Sequence, residues 1–167
     1  TAHLLELADL GLTALELDPQ RARRIGENLE RLGLEASIKV ADASRPQDWW
    51  DSRSFDRILA DVPCSAAGVA RRHPDIKWLR RAADVAAFAQ TQAIILDALW
   101  PLLVPGGKML YCTCSVFPEE NGEQMRAFVA RHPDARRLPT GSPDPELQLL
   151  PSATHDGFYY ALLEKAT

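Results

Sequence analysis

The sequence predicts an α/β fold: a mostly parallel sheet with helices on both faces. Three observations lead there. Short apolar runs of strand length alternate with longer runs of helical periodicity. Turn residues separate most of them. Acidic and thiol residues recur where the strands end, and in open α/β sheets ligands sit beyond those carboxyl ends.

Thr1-Ala2-His3-Leu4-Leu5-Glu6-Leu7 already reads as helix, with no capping turn and no initiator Met before it. The sequence is therefore expected to begin inside a longer protein. Thr13 to Leu17 reads as a buried strand. Asp18-Pro19 then supplies an N-cap and a first-turn proline, and Ala22, Ile25, Leu29 and Leu32 follow at helical spacing up to Gly33. Ser37 to Ala41 is a second strand, ending at Asp42, and residues 43–54 read as a loop with a helical turn at Trp49-Trp50. Phe55 to Asp61 is the third strand. Residues 62–75, with Pro63, Gly68 and Pro74, are loop-like.

A long amphipathic helix is expected from Asp84 to Leu103, with Val85, Phe88, Ile95, Leu99 and Leu102 on one face and Pro105-Gly106-Gly107 as the turn that ends it. Lys108 to Cys112 is the fourth strand. Pro118 to Arg131 is the next helix, with Met125, Phe128 and Val129 inward. Residues 132–156 are rich in Pro, Gly, Ser and Asp and read as one long connection. Gly157 to Glu164 is a final strand. No repeat or linker divides the chain, so one domain is expected over 1–167.

The chain has 167 residues, 46% hydrophobic and 25% charged, a soluble globular composition. No apolar run approaches the roughly 20 residues of a membrane span. Three cysteines is an odd number, and Cys112 and Cys114 are too close to staple a fold, so reduced thiols in a cytosolic protein are expected. A CxC with one distant Cys and no well-spaced His pair is a poor zinc set, so no metal is expected. The net charge of −4 argues against a generic nucleic-acid coat. One basic cluster stands out: Arg71, Arg72, His73, Lys77, Arg80 and Arg81, with Trp78 inside it. It reads either as a solvated helix face or as a surface for a phosphate backbone, with Trp78 anchoring the segment.

Five residues fall at strand ends: Glu16, Asp42, Asp61, Cys64 and Cys114. Glu16 can take both hydroxyls of a ribose, or be a solvated acid at a helix start. Asp42 can bind an exocyclic amine or close a turn. Asp61 can hydrogen-bond a ring nitrogen or amino group of a base, or simply form a turn. Cys112 reads as an inert core thiol. Cys114, at a strand end before a helix start, is where backbone amides can stabilise a thiolate.

Asp61-Val62-Pro63-Cys64-Ser65, together with Thr113-Cys114-Ser115 and Pro118-Glu119-Glu120-Asn121, resembles the RNA cytosine-5 methyltransferases. Arg71-Arg72-His73-Pro74-Asp75-Ile76-Lys77-Trp78 sharpens the resemblance towards their bacterial small-subunit rRNA branch, the Sun/Fmu type. It covers nearly the whole chain. The resemblance implies a Rossmann-like class I methyltransferase fold that uses S-adenosylmethionine, here cut just after its first strand and Gly-rich cofactor loop. It implies cofactor contacts from Glu16, Asp42 and Asp61, with Glu16 where the family commonly has Asp. It implies Cys114 as nucleophile, Cys64 in product release and Asp61 in base recognition. It also implies an unstacked cytosine in ribosomal RNA as substrate, with Arg71, Arg72 and Lys77 on the RNA, in the cytoplasm.

Two other readings remain open at this stage. One is a DNA cytosine-5 methyltransferase, in which the Pro-Cys cysteine, Cys64, is the nucleophile; the Thr-Cys-Ser motif argues against it. The other is a non-catalytic RNA-binding fragment. The absent strand is expected between those at 13–17 and 55–61, and its loss leaves backbone groups unpaired. The purified 1–167 chain is therefore expected neither to fold stably nor to bind S-adenosylmethionine; tight binding in a calorimeter overturns that expectation.

Overall fold

A computed structural model describes residues 1–141 and 144–167. Residues 142 and 143, inside the connection expected over 132–156, lie outside the described residues. Two compact units make up the chain, Thr1–Ser52 and Arg53–Thr167.

In the first unit, α1 (Ala2–Leu7) buries none of its residues, and Leu7 is largely exposed. Strand β1 (Thr13–Glu16) leads into α2 (Pro19–Leu32), which packs its Ala22 and Leu29 inward and returns to β2 (Ser37–Val40). The two strands pair in parallel, Thr13 opposite Ser37 and Glu16 opposite Val40. The sequence signals act as expected at α2. Asp18 Oδ1 accepts the Gln20 amide at 2.8 Å, Pro19 opens the first turn, and Gly33 ends the helix in the left-handed conformation. The helical turn expected at Trp49-Trp50 lies just earlier, a 3₁₀ turn over Pro46–Asp48.

The second unit holds β3 (Phe55–Asp61), α3 (Ile76–Leu79), α4 (Ala82–Leu99), β4 (Leu103–Thr113), α5 (Gly122–Arg131), β5 (Ala135–Leu138), β6 (Leu147–Leu149) and β7 (Phe158–Lys165). Its sheet runs β3-β4-β7-β5, with β6 also on β7. The helix-and-sheet architecture is the expected one, but the sheet is mixed rather than mostly parallel. β3 and β4 pair in parallel, whereas β7 runs antiparallel to β4, β5 and β6. The final strand enters between two strands of common direction, so it opposes both. The supposed plain connection over 132–156 also supplies two strands, since β5 and β6 take up adjacent stretches of the β7 edge.

Helix cover falls on one sheet face of this unit. Met109, Tyr111, Tyr159, Ala161 and Leu163 are buried there, α4 reaches Tyr111 through Gln92, and α5 packs against α4. Leu110, Cys112, Tyr160 and Leu162, on the alternate positions, are only half-buried. Helix α4 starts two residues before Asp84, because Asp84 stands in the first turn and accepts the Arg81 amide at 2.9 Å. By length and composition alone, Ala82–Leu102 suffices to cross a membrane, contrary to the reading of its sequence. Here it is a core helix, with Val85, Gln92, Ile95, Leu96 and Leu99 buried. Pro105-Gly106-Gly107 is no turn between elements. It lies within β4, where the pairing slips between Phe55 opposite Leu103 and Arg57 opposite Lys108.

Trp100, Phe128 and His132 close the far end of this core. The Trp100 and Phe128 rings meet edge-on at 5.3 Å, and the Phe128 and His132 rings lie 4.3 Å apart. Phe128 is fully buried. In the intact protein, Phe128→Ala is expected to lower the unfolding free energy by about 3–5 kcal/mol, read from the urea midpoint at unchanged m-value.

Candidate functional site

In the first unit, the end of the small sheet carries Glu16 and Asp42. The Ala41 amide bonds the Glu16 carbonyl at 3.1 Å, so Asp42 follows directly beside the end of β1. Glu16 Oε1 accepts the Asp18 amide at 3.0 Å, which fixes the half-buried carboxylate at the strand end. Asp42 Oδ1 accepts the Ser44 amide at 2.9 Å and the Ser44 hydroxyl at 2.7 Å. The turn-forming alternative for Asp42 is thus realised, and the same two bonds hold its carboxyl below the usual carboxylate range. Both groups remain acceptors fixed in place, the property needed to receive hydroxyl or amine donors.

In the second unit, the carboxyl ends of β3 and β4 bring together Asp61, Cys64 and Cys114. Cys64 Sγ lies 3.4 Å from Cys114 Sγ. The Cys64 thiol and this contact hold Cys114 below the ordinary thiol value of 9.0. Cys64 itself is pushed up, first by the same contact and then by burial. One thiol donates and the other is stabilised as the acceptor. Asp61 ends β3 opposite Cys112 in the ladder. Desolvation raises the Asp61 carboxyl above its ordinary range, with a Cys112 hydrogen bond acting the other way. Cys112 is not sealed in the core: it is half-buried beside Asp61, and burial followed by that carboxyl pushes its thiol up to about 12. Cys112 within β4 is thus raised first by burial, whereas Cys114, just past the end of β4, is lowered first by its contact with Cys64.

The loop after Cys64 is held by backbone. Ala66 adopts the left-handed conformation, φ 61°, at about 1–2 kcal/mol for a residue with a Cβ. Gly68 N–H donates to the Cys114 carbonyl at 2.8 Å, and Gly157 N–H to the Gly68 carbonyl at 2.8 Å. A Cβ on Gly68 would stand 2.3 Å from the Gly157 oxygen, so only glycine allows this approach.

A second layer lies beneath the thiols and was not legible as a site. Glu120 is fully buried. Its Oε1 accepts the Ser65 amide at 2.8 Å and Gln92 Nε2 at 3.1 Å, and its Oε2 accepts the Ser65 and Ser115 hydroxyls, both at 2.5 Å. The Tyr111 hydroxyl donates to the Glu120 carbonyl at 2.5 Å and lies 3.0 Å from Gln92 Oε1. Thr113 Oγ1 donates to Asn121 Oδ1 at 2.7 Å, and Asn121 Nδ2 donates to the Ser115 carbonyl at 3.0 Å. The available signal was a repeated Cys-Ser pair, Cys64-Ser65 and Cys114-Ser115, with one glutamine on an apolar helix face.

The basic cluster divides. Arg71 and Arg72 both pair with the buried Asp156 carboxylate, at 3.3 and 2.7 Å, while keeping more than half of their side chains exposed. Arg80 Nε donates to the Ser65 carbonyl at 2.9 Å and lies over the Phe88 ring. Lys77 is exposed on α3. Trp78 does not anchor its segment; it is 86% exposed, and Leu79 beside it is 65% exposed. A helix of four residues has too few inward positions to bury both. Among the described residues, no group of three or more His, Cys, Asp or Glu is arranged to hold a metal ion.

A family model described as 16S rRNA methyltransferase RsmB/F matches residues 1–164. The chain belongs to that family. It is 55% identical over 168 residues to the ribosomal RNA small subunit methyltransferase B of Cronobacter sakazakii, and 52% identical over 167 residues to that of Vibrio vulnificus. Each alignment takes in 99% of this chain and 39% of the relative, so the chain spans about two fifths of the length of the curated relatives it matches. Among solved structures it is similar to NSun6 from Pyrococcus horikoshii, solved with SFG, at 26% identity and a TM-score of 0.86, over 99% of this chain and 44% of that one. It is also similar to a methyltransferase homolog protein from the same organism, at 26% identity and a TM-score of 0.80, over 94% of this chain and 54% of that one. The Rossmann-like methyltransferase fold is therefore the fold of this chain.

The thiol geometry has a direct consequence. With Cys114 lowered and Cys112 raised, iodoacetamide at pH 8 is expected to alkylate Cys114 at least about tenfold faster than Cys112, as read by peptide mass mapping.

Proposed function

We propose that the chain is the catalytic part of an S-adenosylmethionine-dependent rRNA methyltransferase that methylates carbon 5 of a cytosine through a covalent bond from Cys114 to carbon 6. The observation that carries this reading is the Cys64–Cys114 pair at 3.4 Å, with the Cys114 thiol lowered and an acid, Asp61, at the neighbouring strand end. Membership of the RsmB/F family, and relatives named for small-subunit rRNA methylation, support the substrate class.

Carbon 5 of cytosine is a poor nucleophile. Attack by the Cys114 thiolate on carbon 6 saturates that carbon and makes carbon 5 enamine-like. Asp61, whose carboxyl keeps its proton to higher pH than usual, donates towards N3 and the exocyclic amine side of the ring, where electron density collects. S-adenosylmethionine, when bound, supplies the sulfonium methyl that the activated carbon 5 takes up. A base, Cys64 itself or a water beside it, takes the carbon 5 proton. The carbon 6–sulfur bond then breaks, Cys114 leaves as thiolate, and the ring returns its added proton to Asp61 and becomes aromatic again. Cys64, within hydrogen-bond reach of Cys114, assists that release.

Glu16 and Asp42 suit the cofactor as fixed acceptors, Glu16 for ribose hydroxyls and Asp42 for the adenine amine. Asp61 is the third acid assigned to it. A cytosine must leave its stack before carbon 6 can be reached, which favours single-stranded or looped RNA. Arg71, Arg72 and Lys77 suit the phosphate backbone, and the exposed Trp78 ring adds a face on which a base can stack. An open cleft beside them is lined by Arg80, Arg81, Val85, Ala86, Phe117 and Glu119. Reduced thiols suit a cytoplasmic enzyme.

The test separates the two cysteines in the intact protein. Cys114→Ala is expected to abolish the covalent protein–RNA adduct. Cys64→Ala is expected to accumulate it as a band that resists denaturing electrophoresis. The reverse pattern assigns attack to Cys64 and overturns the scheme in favour of the DNA-type arrangement.

A further inference from the structure

We propose that Glu120 is a positioning residue that sets the spacing of the two thiols, by tying together the residues that follow each of them. This deepens the functional reading above and rests on its assignment of Cys64 and Cys114 as the working pair. Ser65 follows Cys64 on the β3 loop, and Ser115 follows Cys114 at the end of β4. These segments lie fifty residues apart in sequence, and one carboxylate binds both: Oε2 accepts the Ser65 and Ser115 hydroxyls, and Oε1 accepts the Ser65 amide. The two hydroxyl oxygens are themselves 3.1 Å apart. Gln92 completes the set from α4, donating through Nε2 to Glu120 Oε1 and to the Pro63 carbonyl just before Cys64.

Four donors converge on a side chain with no exposed surface. Among the described residues, no Lys, Arg or His forms an ion pair with it, so hydroxyls and amides alone satisfy it. A core of this size is closed far more cheaply by an apolar side chain than by a carboxyl. What the carboxyl provides is a two-oxygen acceptor that can grip both loops at once. An amide in its place keeps one acceptor oxygen and turns an N–H₂ towards Ser65 Oγ and Ser115 Oγ. Both hydroxyls would then have to accept from the amide, and their own protons would lose the carboxylate oxygen that takes them now. The grip fails on that side, and the two loops lose their common fixed point.

The experiment is the pH profile of Cys114 alkylation by iodoacetamide in the intact protein, resolved by peptide mass mapping. Glu120→Gln is expected to move the Cys114 inflection upward by about one pH unit, which slows alkylation about tenfold at neutral pH, because the Cys64 contact that stabilises the thiolate is lost. A Glu120→Gln protein that melts lower but keeps the native Cys114 profile overturns the proposal, since a purely structural role predicts that result. If Glu120→Gln does not fold, Ser115→Ala decides: it removes one of the four donors, and an upward shift of smaller size is expected, whereas an unchanged profile overturns the proposal. The readout needs no RNA. An altered profile without any RNA adduct refutes the cytosine chemistry and leaves the positioning role standing; a Cys114 adduct with an unchanged profile does the reverse.

Discussion

A carboxyl group taken wholly out of water must find a donor for each oxygen, and at Glu120 that requirement organises the second unit around the thiols. Its donors come from the loop after β3, the end of β4 and the middle of α4. Tyr111, itself buried within β4, bonds the Glu120 backbone and Gln92 and so links the layer to the sheet. Removing any one partner leaves another buried group short of a bond, at about 1–3 kcal/mol each. Such a network is costly to build and hard to deform, which suits a site whose geometry must be repeatable.

The thiols above this layer need closeness and asymmetry together. At 3.4 Å they share one hydrogen bond, and that bond separates their proton affinities, lowering Cys114 and raising Cys64. In the proposed reaction the same asymmetry supplies a ready nucleophile for attack, and the pairing keeps Cys64 beside the adduct when it breaks. The close passage of Gly68 and Gly157 backbones adds a second restraint, since it pins the Cys64 loop to the Cys114 carbonyl and to the start of β7. The strain at Ala66 is small beside these restraints.

Around the site the surface is uneven. Arg71 and Arg72 are drawn to Asp156, which orients them while each side chain stays more than half exposed. Arg80 donates to the Ser65 carbonyl, so one exposed basic residue of the cluster also works as a strut for the Cys64 loop. Trp78 and Leu79 stand out into solvent on a single helical turn. This explains how a chain with a net charge of −4 can offer a locally basic and aromatic face.

Much of this was legible along the chain. Asp18, Pro19 and Gly33 bounded α2 because capping is local chemistry, and Phe55–Asp61 showed as a strand through its own composition. The paired Pro-Cys and Thr-Cys-Ser motifs pointed to the family, and to the residues now found at the strand ends. The antiparallel entry of β7 was not legible, because direction in a sheet depends on which strands flank it and not on its own residues. The strands in 132–156 were hidden for a related reason: β5 and β6 are short and half-buried, and exist only because β7 offers an edge. Cys112 was read from its residue type alone, and burial is the first cause that raises its thiol, with Asp61 on the neighbouring strand adding to it. By itself, then, the sequence determined the family and the elements bounded by local signals, such as α2 and β3. Only the tertiary structure decided that Glu120 binds the residues after both thiols, since contacts spanning fifty-five residues of sequence are made by packing and leave no local pattern to read.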